Sequence, residues 1–201
     1  MARVKICGLT SAAQARACVD LGADAIGINF FAGSKRCVDL ATGRAIVETV
    51  GDEAITVGVF VDAGLAEIER IKAASGIRCV QLHGDESPEL LERFLPHAYK
   101  ALRVRGAETI AEAARFGGEH VLLDAYVPGE PGGTGEVFEW SLATELARSR
   151  QVTLAGGLVP ENVAAAVAAV RPFCVDVASG VERAPGDKDL ERVAAFIAAA
   201  R

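Results

Sequence analysis

The sequence predicts an α/β fold, a single (β/α)8 TIM barrel built on an eight-stranded parallel sheet. Three observations point there. Apolar runs rich in Val, Ile, Leu and Phe alternate with helical patterns eight times along the 201 residues. The strand–helix units recur about every 25 residues, which suits right-handed parallel crossovers. Polar and glycine residues gather at the C-terminal ends of the strand runs, where such barrels place their sites. On pattern alone, an open doubly wound sheet is the principal alternative.

The elements follow in order. Strand Arg3–Cys7 leads into helix Ser11–Leu21, with Ser11 as N-cap. Ala25–Phe30 is followed by helix Leu40–Val50, and Thr56–Val61 by helix Leu65–Ser75. Cys79–Leu82 precedes helix Pro88–Leu95, where Ser87-Pro88 puts proline at a helix start, a place that needs no N–H. Tyr99–Val104 is paired with helix Ala107–Phe116, and His120–Asp124 with helix Ser141–Ser149. Val152–Ala155 leads to helix Pro160–Val170, and Cys174–Val177 to helix Asp187–Ala200. Gly22, Gly51, Gly76 and Gly117 fall just past helix ends, where a left-handed cap is expected. The length lies near the lower limit for this fold, so the loops must be short and residues 1–201 form one catalytic domain.

Composition narrows the function. Hydrophobic residues make up 51% of the chain, enough for a substantial core. The net charge is −6, and no basic run suited to nucleic acid or an anionic membrane occurs. The expected partner is a small molecule or a protein. No apolar stretch approaches the roughly 18 residues of a membrane span. The N-terminus is strand-like, without a signal-peptide core, so a cytoplasmic location is expected. The five cysteines are scattered with no C-x-x-C pair, and the three histidines lack ligand spacing. Neither a metal site nor a disulfide framework is suggested. No dinucleotide fingerprint follows the first strand, so no cofactor is expected.

The chemistry concentrates at strand ends. Cys7 closes the first strand, and the two-residue repeat puts Lys5 on the same inward face. A nearby ammonium favours the thiolate, the form that accepts a proton; a buried structural cysteine is the plainer alternative. Asp124 closes His120-Val121-Leu122-Leu123-Asp124, and apolar burial would suit it to donate a proton. A capping or loop carboxylate is the alternative there. The segment Tyr126 to Gly135 is the one long irregular loop, with glycines that could hinge a lid. Gly156-Gly157 follows the seventh strand and Ser179-Gly180 the eighth, the two places where barrels often hold phosphate. Arg36 follows the second strand and offers a fork for a carboxylate, or a plain solvated charge. His83 ends the fourth strand, with Gln81 on its face; either is placed to line the pocket, His83 as a substrate-binding group, and a satisfied core histidine is the equal alternative. Asp176 either holds substrate or pairs with Lys5.

These motifs together resemble one known family. Lys5-Ile6-Cys7-Gly8-Leu9-Thr10, Ser34-Lys35-Arg36, Val57-Gly58-Val59-Phe60-Val61, Val80-Gln81-Leu82-His83-Gly84, Leu122-Leu123-Asp124, Gly132-Gly133-Thr134-Gly135, Leu154-Ala155-Gly156-Gly157-Leu158 and Asp176-Val177-Ala178-Ser179-Gly180-Val181-Glu182 follow the pattern of phosphoribosylanthranilate isomerase. The resemblance covers essentially the whole chain in order. It implies an Amadori rearrangement of N-(5'-phosphoribosyl)anthranilate in tryptophan biosynthesis. Carried over by position, Asp124 resembles the general acid and Cys7 the general base. Arg36 would hold the anthranilate carboxylate, and Gly156, Gly157, Ser179 and Gly180 the phosphate. A phosphosugar substrate and a monomer or homodimer are implied. The chain departs from the family at Asp62, where Asn is usual, and at Cys37 and Asn29-Phe30-Phe31. A histidine-pathway sugar isomerase would carry aspartate in place of Cys7. An indole-glycerol phosphate synthase would need a catalytic lysine and a longer N-terminal segment. A non-catalytic phosphate-ligand barrel would keep the glycine cradle and have no use for Cys7 and Asp124.

Overall fold

The computed structural model describes residues 1–104, 106–124 and 140–201 of the chain. The strands are β1 (Arg3–Cys7), β2 (Ala25–Asn29), β3 (Ile55–Phe60), β4 (Cys79–Leu82), β5 (Ala98–Arg103), β6 (His120–Asp124), β7 (Gln151–Ala155) and β8 (Cys174–Val177). They pair in sequential order and close into a parallel barrel, β8 returning to β1. The helices between them are α1 (Ala12–Asp20), α2 (Leu40–Val50), α3 (Leu65–Ser75), α4 (Pro88–Glu92), α5 (Glu108–Ala114), α6 (Trp140–Ala147), α7 (Val163–Val170) and α8 (Leu190–Ala200). None of them is long and apolar enough to cross a membrane, among the described residues.

Alternation along each strand separates two environments. Outward side chains such as Val4, Ile6, Ile26, Ile28, Val121 and Val175 are fully buried in the shell between sheet and helices. Ile46, Ile68, Leu91 and Phe196 reach that shell from the helices. Burying each such side chain stabilises by roughly 1.5–3 kcal/mol. Inside the barrel, the apolar cluster is small: Val57, Tyr99, Ala101, Leu122 and Ala155. The remaining interior is polar, with Lys5, Gln81, Thr153 and Asp176 all buried. Buried polar groups of this kind call for hydrogen-bond partners.

Local signals account for the helix starts. Ser11 caps α1 by accepting from the Gln14 N–H at 3.3 Å, and Asp39 caps α2 by accepting from Thr42 at 2.8 Å. Several ends differ from the sequence reading. α4 stops at Glu92, short of Leu95, because the residue before Pro96 is pushed out of helical conformation. α7 begins at Val163, not Pro160, since Asn162 Oδ1 takes the Val159 N–H at 2.9 Å and forms a turn first. α8 begins at Leu190, because Asp187–Lys188 is instead a short strand, β10, antiparallel to β9 (Glu182–Ala184). Gly117 is not the left-handed residue after α5; Gly118 is, at φ 83°. The glycine-rich stretch 126–135, expected to close over substrate, lies outside the described residues.

His120 lies at the N-terminal mouth of the barrel. Its ring packs 4.2 Å from that of Tyr99 and 5.6 Å from that of Phe173. Burial, reinforced by the positive charges of Lys5, Arg150 and Arg3, pulls its pKa down to about 4. An unfolded histidine titrates near 6.5, so the unfolded chain binds a proton that the folded chain refuses between there and about 4. Stability should therefore be intact above pH 6.5 and fall through this window, by at most about 3 kcal/mol. Urea unfolding at a series of pH values should show this slope in the native chain and a flatter one in His120→Gln. Equal slopes would remove His120 as the cause.

Candidate active site at the C-terminal mouth

A cavity of about 450 Å³ opens at the C-terminal ends of the strands. All nine candidate catalytic and substrate-binding residues line it: Cys7, Arg36, His83, Asp124, Gly156, Gly157, Asp176, Ser179 and Gly180. The thiol and the carboxylate, one ending β1 and the other β6, thus face one space. A larger cavity of about 980 Å³ opens at the opposite mouth. Its thiols Cys79 and Cys174 are driven by burial to about 11 and about 12, so they supply no base near neutral pH. Among the described residues, no cluster of three or more His, Cys, Asp or Glu could hold a metal ion.

Lys5 organises the floor of the site. Its neighbours in register are Ala25 on β2 and Asp176 on β8. Nζ donates to Asp176 Oδ2 and to Gln81 Oε1, each at 2.8 Å. Burial alone would lower the pKa of this amine. Asp176, helped by Cys7 and Tyr99, more than offsets that, and Lys5 stays charged. Asp176 Oδ1, by contrast, is buried with no hydrogen-bond partner among the described residues. An unmatched acceptor of this kind costs about 1–3 kcal/mol, and a donor from a ligand would recover it.

Cys7 corrects one expectation. The proximity of Lys5 was expected to favour the thiolate. Burial instead dominates and pushes the thiol above its ordinary range, while Lys5 and Lys188 pull it back only in part. Much of the Lys5 charge is already matched by Asp176. The thiol is the resting form. Room for it comes from Gly27 on the neighbouring strand: a Cβ there would lie 2.5 Å from Cys7 Sγ.

Arg36 is held from behind. Its Nε donates to Glu182 Oε1 at 2.8 Å and to Oε2 at 3.1 Å, and Nη2 also contacts Oε2. Lys188, fully buried, donates to Glu182 Oε1 at 2.7 Å and to the Cys7 carbonyl at 2.6 Å. Burial pushes the Glu182 carboxyl up, but the bonds from Arg36 and Lys188 outweigh it and keep the group ionised below its usual range. Glu182 and Lys188 were not singled out from the sequence. Glu182 directly follows the Ser179-Gly180-Val181 motif, which was the available signal.

The glycine cradle is built from backbone. Gly156 and Gly157 have φ of 85° and 64°, a region open to glycine but strained for other residues. Neither amide donates to a backbone carbonyl among the described residues. Gly180 is required for a different reason: a Cβ there would collide with the Leu158 carbonyl oxygen. The loops after β7 and β8 are therefore pressed together. No long helix starts directly behind the cradle: Ser179–Val181 is a single 3₁₀ turn and α7 starts only at Val163. Across the cavity, His83 Nε2 lies 3.2 Å from Asp124 Oδ2, and Gln81 Nε2 lies 3.0 Å from His83 Nδ1. Asp124 was expected to be enclosed by apolar groups; instead it is partly open to the cavity and meets this imidazole.

Comparison with known proteins agrees with this fold. The family model described as N-(5'phosphoribosyl)anthranilate (PRA) isomerase matches residues 4–199. An N-(5'-phosphoribosyl)anthranilate isomerase of Pseudomonas fluorescens (strain SBW25) is 45% identical over 201 residues, covering 99% of this chain and 95% of the relative. The crystal structure of phosphoribosyl anthranilate isomerase from Thermotoga maritima superposes with a TM-score of 0.91 at 39% identity, covering 100% of this chain and 98% of the other. A second phosphoribosyl anthranilate isomerase structure is a complex with reduced 1-(o-carboxyphenylamino)-1-deoxyribulose 5-phosphate. It superposes with a TM-score of 0.86 at 38% identity, again covering 100% and 98%.

The close approach at Gly27 is directly testable. Gly27→Ala should displace the Cys7 side chain and cost roughly 1–3 kcal/mol through overpacking. We expect lower turnover together with a lower midpoint in thermal unfolding. A variant with native turnover would show that the thiol does not need this space.

Proposed function

This chain belongs to the N-(5'-phosphoribosyl)anthranilate isomerase family, and on that premise we propose that Cys7 is the general base and Asp124 the general acid of its reaction. The reaction is an aldose–ketose isomerisation within tryptophan biosynthesis. It converts N-(5'-phosphoribosyl)anthranilate to 1-(2-carboxyphenylamino)-1-deoxyribulose 5-phosphate. The observation that carries the assignment is the single cavity onto which both side chains open.

The steps need proton transfers alone. Asp124 donates its proton to the furanose ring oxygen as the bond from C1 to that oxygen breaks. The nitrogen lone pair forms the C1=N bond, leaving a protonated imine. The Cys7 thiolate then takes the C2 proton, and that electron pair forms C1=C2 as the C1=N pair returns to nitrogen. The resulting enolamine tautomerises, gaining a proton at C1 and losing one from the C2 hydroxyl, to give the ketone. The cationic imine lies beside a thiol whose resting form is protonated, and its charge favours the thiolate when a base is required. Each proton-transfer group supplies roughly 10²–10⁴-fold, with orientation in the cavity supplying more.

Binding groups surround this axis. Arg36 holds the anthranilate carboxylate, its guanidinium aligned by the fork to Glu182. The amides of Gly156, Gly157 and Gly180, with Ser179, hold the phosphate. Asp176 offers its unmatched Oδ1 to a sugar hydroxyl. A fluorescence assay on phosphoribosylanthranilate tests these roles. Cys7→Ala and Asp124→Ala should each lower kcat by roughly 10²–10⁴-fold with little change in KM. Near-native turnover in either variant would end that residue's assignment. Arg36→Ala should mainly raise KM, and an unchanged KM would remove it from the carboxylate site.

A further inference from the structure

A chain of hydrogen bonds runs in one direction from the base side of the site to the acid side. Lys5 Nζ donates to Gln81 Oε1 at 2.8 Å, and the Tyr99 hydroxyl donates to the same oxygen at 2.9 Å. Gln81 Nε2 then lies 3.0 Å from His83 Nδ1, and His83 Nε2 lies 3.2 Å from Asp124 Oδ2. The direction follows from chemistry. An ammonium has donors only, so Gln81 must turn its carbonyl to Lys5. Its NH2 then faces His83, and an amide nitrogen also has donors only. His83 Nδ1 must therefore accept and carry no proton. The remaining ring proton sits on Nε2 and points at the carboxyl of Asp124. A second proton on Nδ1 would set two donors against each other. Turning Gln81 over would set its NH2 against the buried ammonium. Lys5 also lies against Cys7, so one cation addresses both halves of the site.

We infer that His83 is a positioning residue: Lys5, acting through Gln81, fixes it as the Nε2–H tautomer, and it holds Asp124 through Oδ2 in the orientation that proton transfer requires. This moves His83 from the substrate-binding group to the support of the acid. The inference rests on the assignment of Asp124 as the acid, but its first test does not. Long-range ¹H–¹⁵N correlation of labelled protein reads the protonation of each imidazole nitrogen. The chain has three histidines, at 83, 97 and 120, and His83→Gln identifies the signal. The native chain should show an unprotonated Nδ1 and a protonated Nε2 at His83. A proton on Nδ1 would overturn the inference, whatever the kinetics of Asp124 variants.

Gln81→Glu, of nearly the same shape, offers a carboxylate oxygen both to Lys5 and to His83. It should place a proton on Nδ1 and lower kcat about 10- to 100-fold while KM stays within about twofold. An unchanged tautomer would sink the control by Gln81, and a changed tautomer with native kcat would sink the positioning role. Glutamine at 83 can accept from Gln81 and donate to Asp124, whereas leucine can do neither. His83→Gln should therefore keep about tenfold more turnover than His83→Leu. Equal losses in the two would count against the hydrogen-bond role.

Discussion

The arrangement depends on one buried cation. Lys5 sits at the centre of a closed barrel, 2% exposed, where an unpaired ammonium would not survive. Its charge persists because Asp176 lies beside it in register across the seam of β1 and β8. This constraint explains the polar interior. Gln81 is drawn to the ammonium, Tyr99 shares the same oxygen, and His83 takes the amide that Gln81 turns outward. It also explains why Cys7 does not behave as a thiol beside a free cation would. The ammonium is already matched by a carboxylate, so desolvation of the sulfur prevails.

A second cluster sits above the first. Lys188 and Arg36 meet at Glu182, and each cation serves a different part of the site. Arg36 reaches the cavity, while Lys188 grips the main chain at Cys7 and at Ala178. Removing the Glu182 carboxylate would leave Lys188 buried without its counter-charge, a change that commonly costs 3–5 kcal/mol. Site geometry and local stability are carried by the same atoms here.

Much of this was legible in the sequence, and the rest was hidden for identifiable reasons. Strands show as β-branched runs and site glycines as Gly-Gly and Ser-Gly after them, because these signals are local. The pair of β9 and β10 was missed, since both are short and charged, and Asp187-Lys188 reads as the start of the last helix. The Arg36 fork was half legible: the guanidinium was visible, but its partner lies 146 residues away. Pairings of that range come from barrel closure, not from any pattern in a window. The pull of Lys5 on Cys7 was legible but its resting state was not, because a neighbouring charge can be read from spacing, whereas desolvation and the competing claim of Asp176 require coordinates. Asp124 shows the same limit: its strand-end position was evident and its histidine neighbour was not.

The pairing of β1 with β8 has a temporal meaning. β1 emerges before β8 during synthesis, yet its flank is completed by β8, and the carbonyl of its reactive cysteine is held by Lys188 of β10. A growing polypeptide still tethered to the ribosome, with residue 188 in the exit tunnel, would carry the thiol and the acid already but lack the anchor that sets them. Competence would appear abruptly, once residue 188 clears the tunnel. Fragments that stop before this point should be silent even where most of the scaffold has collapsed.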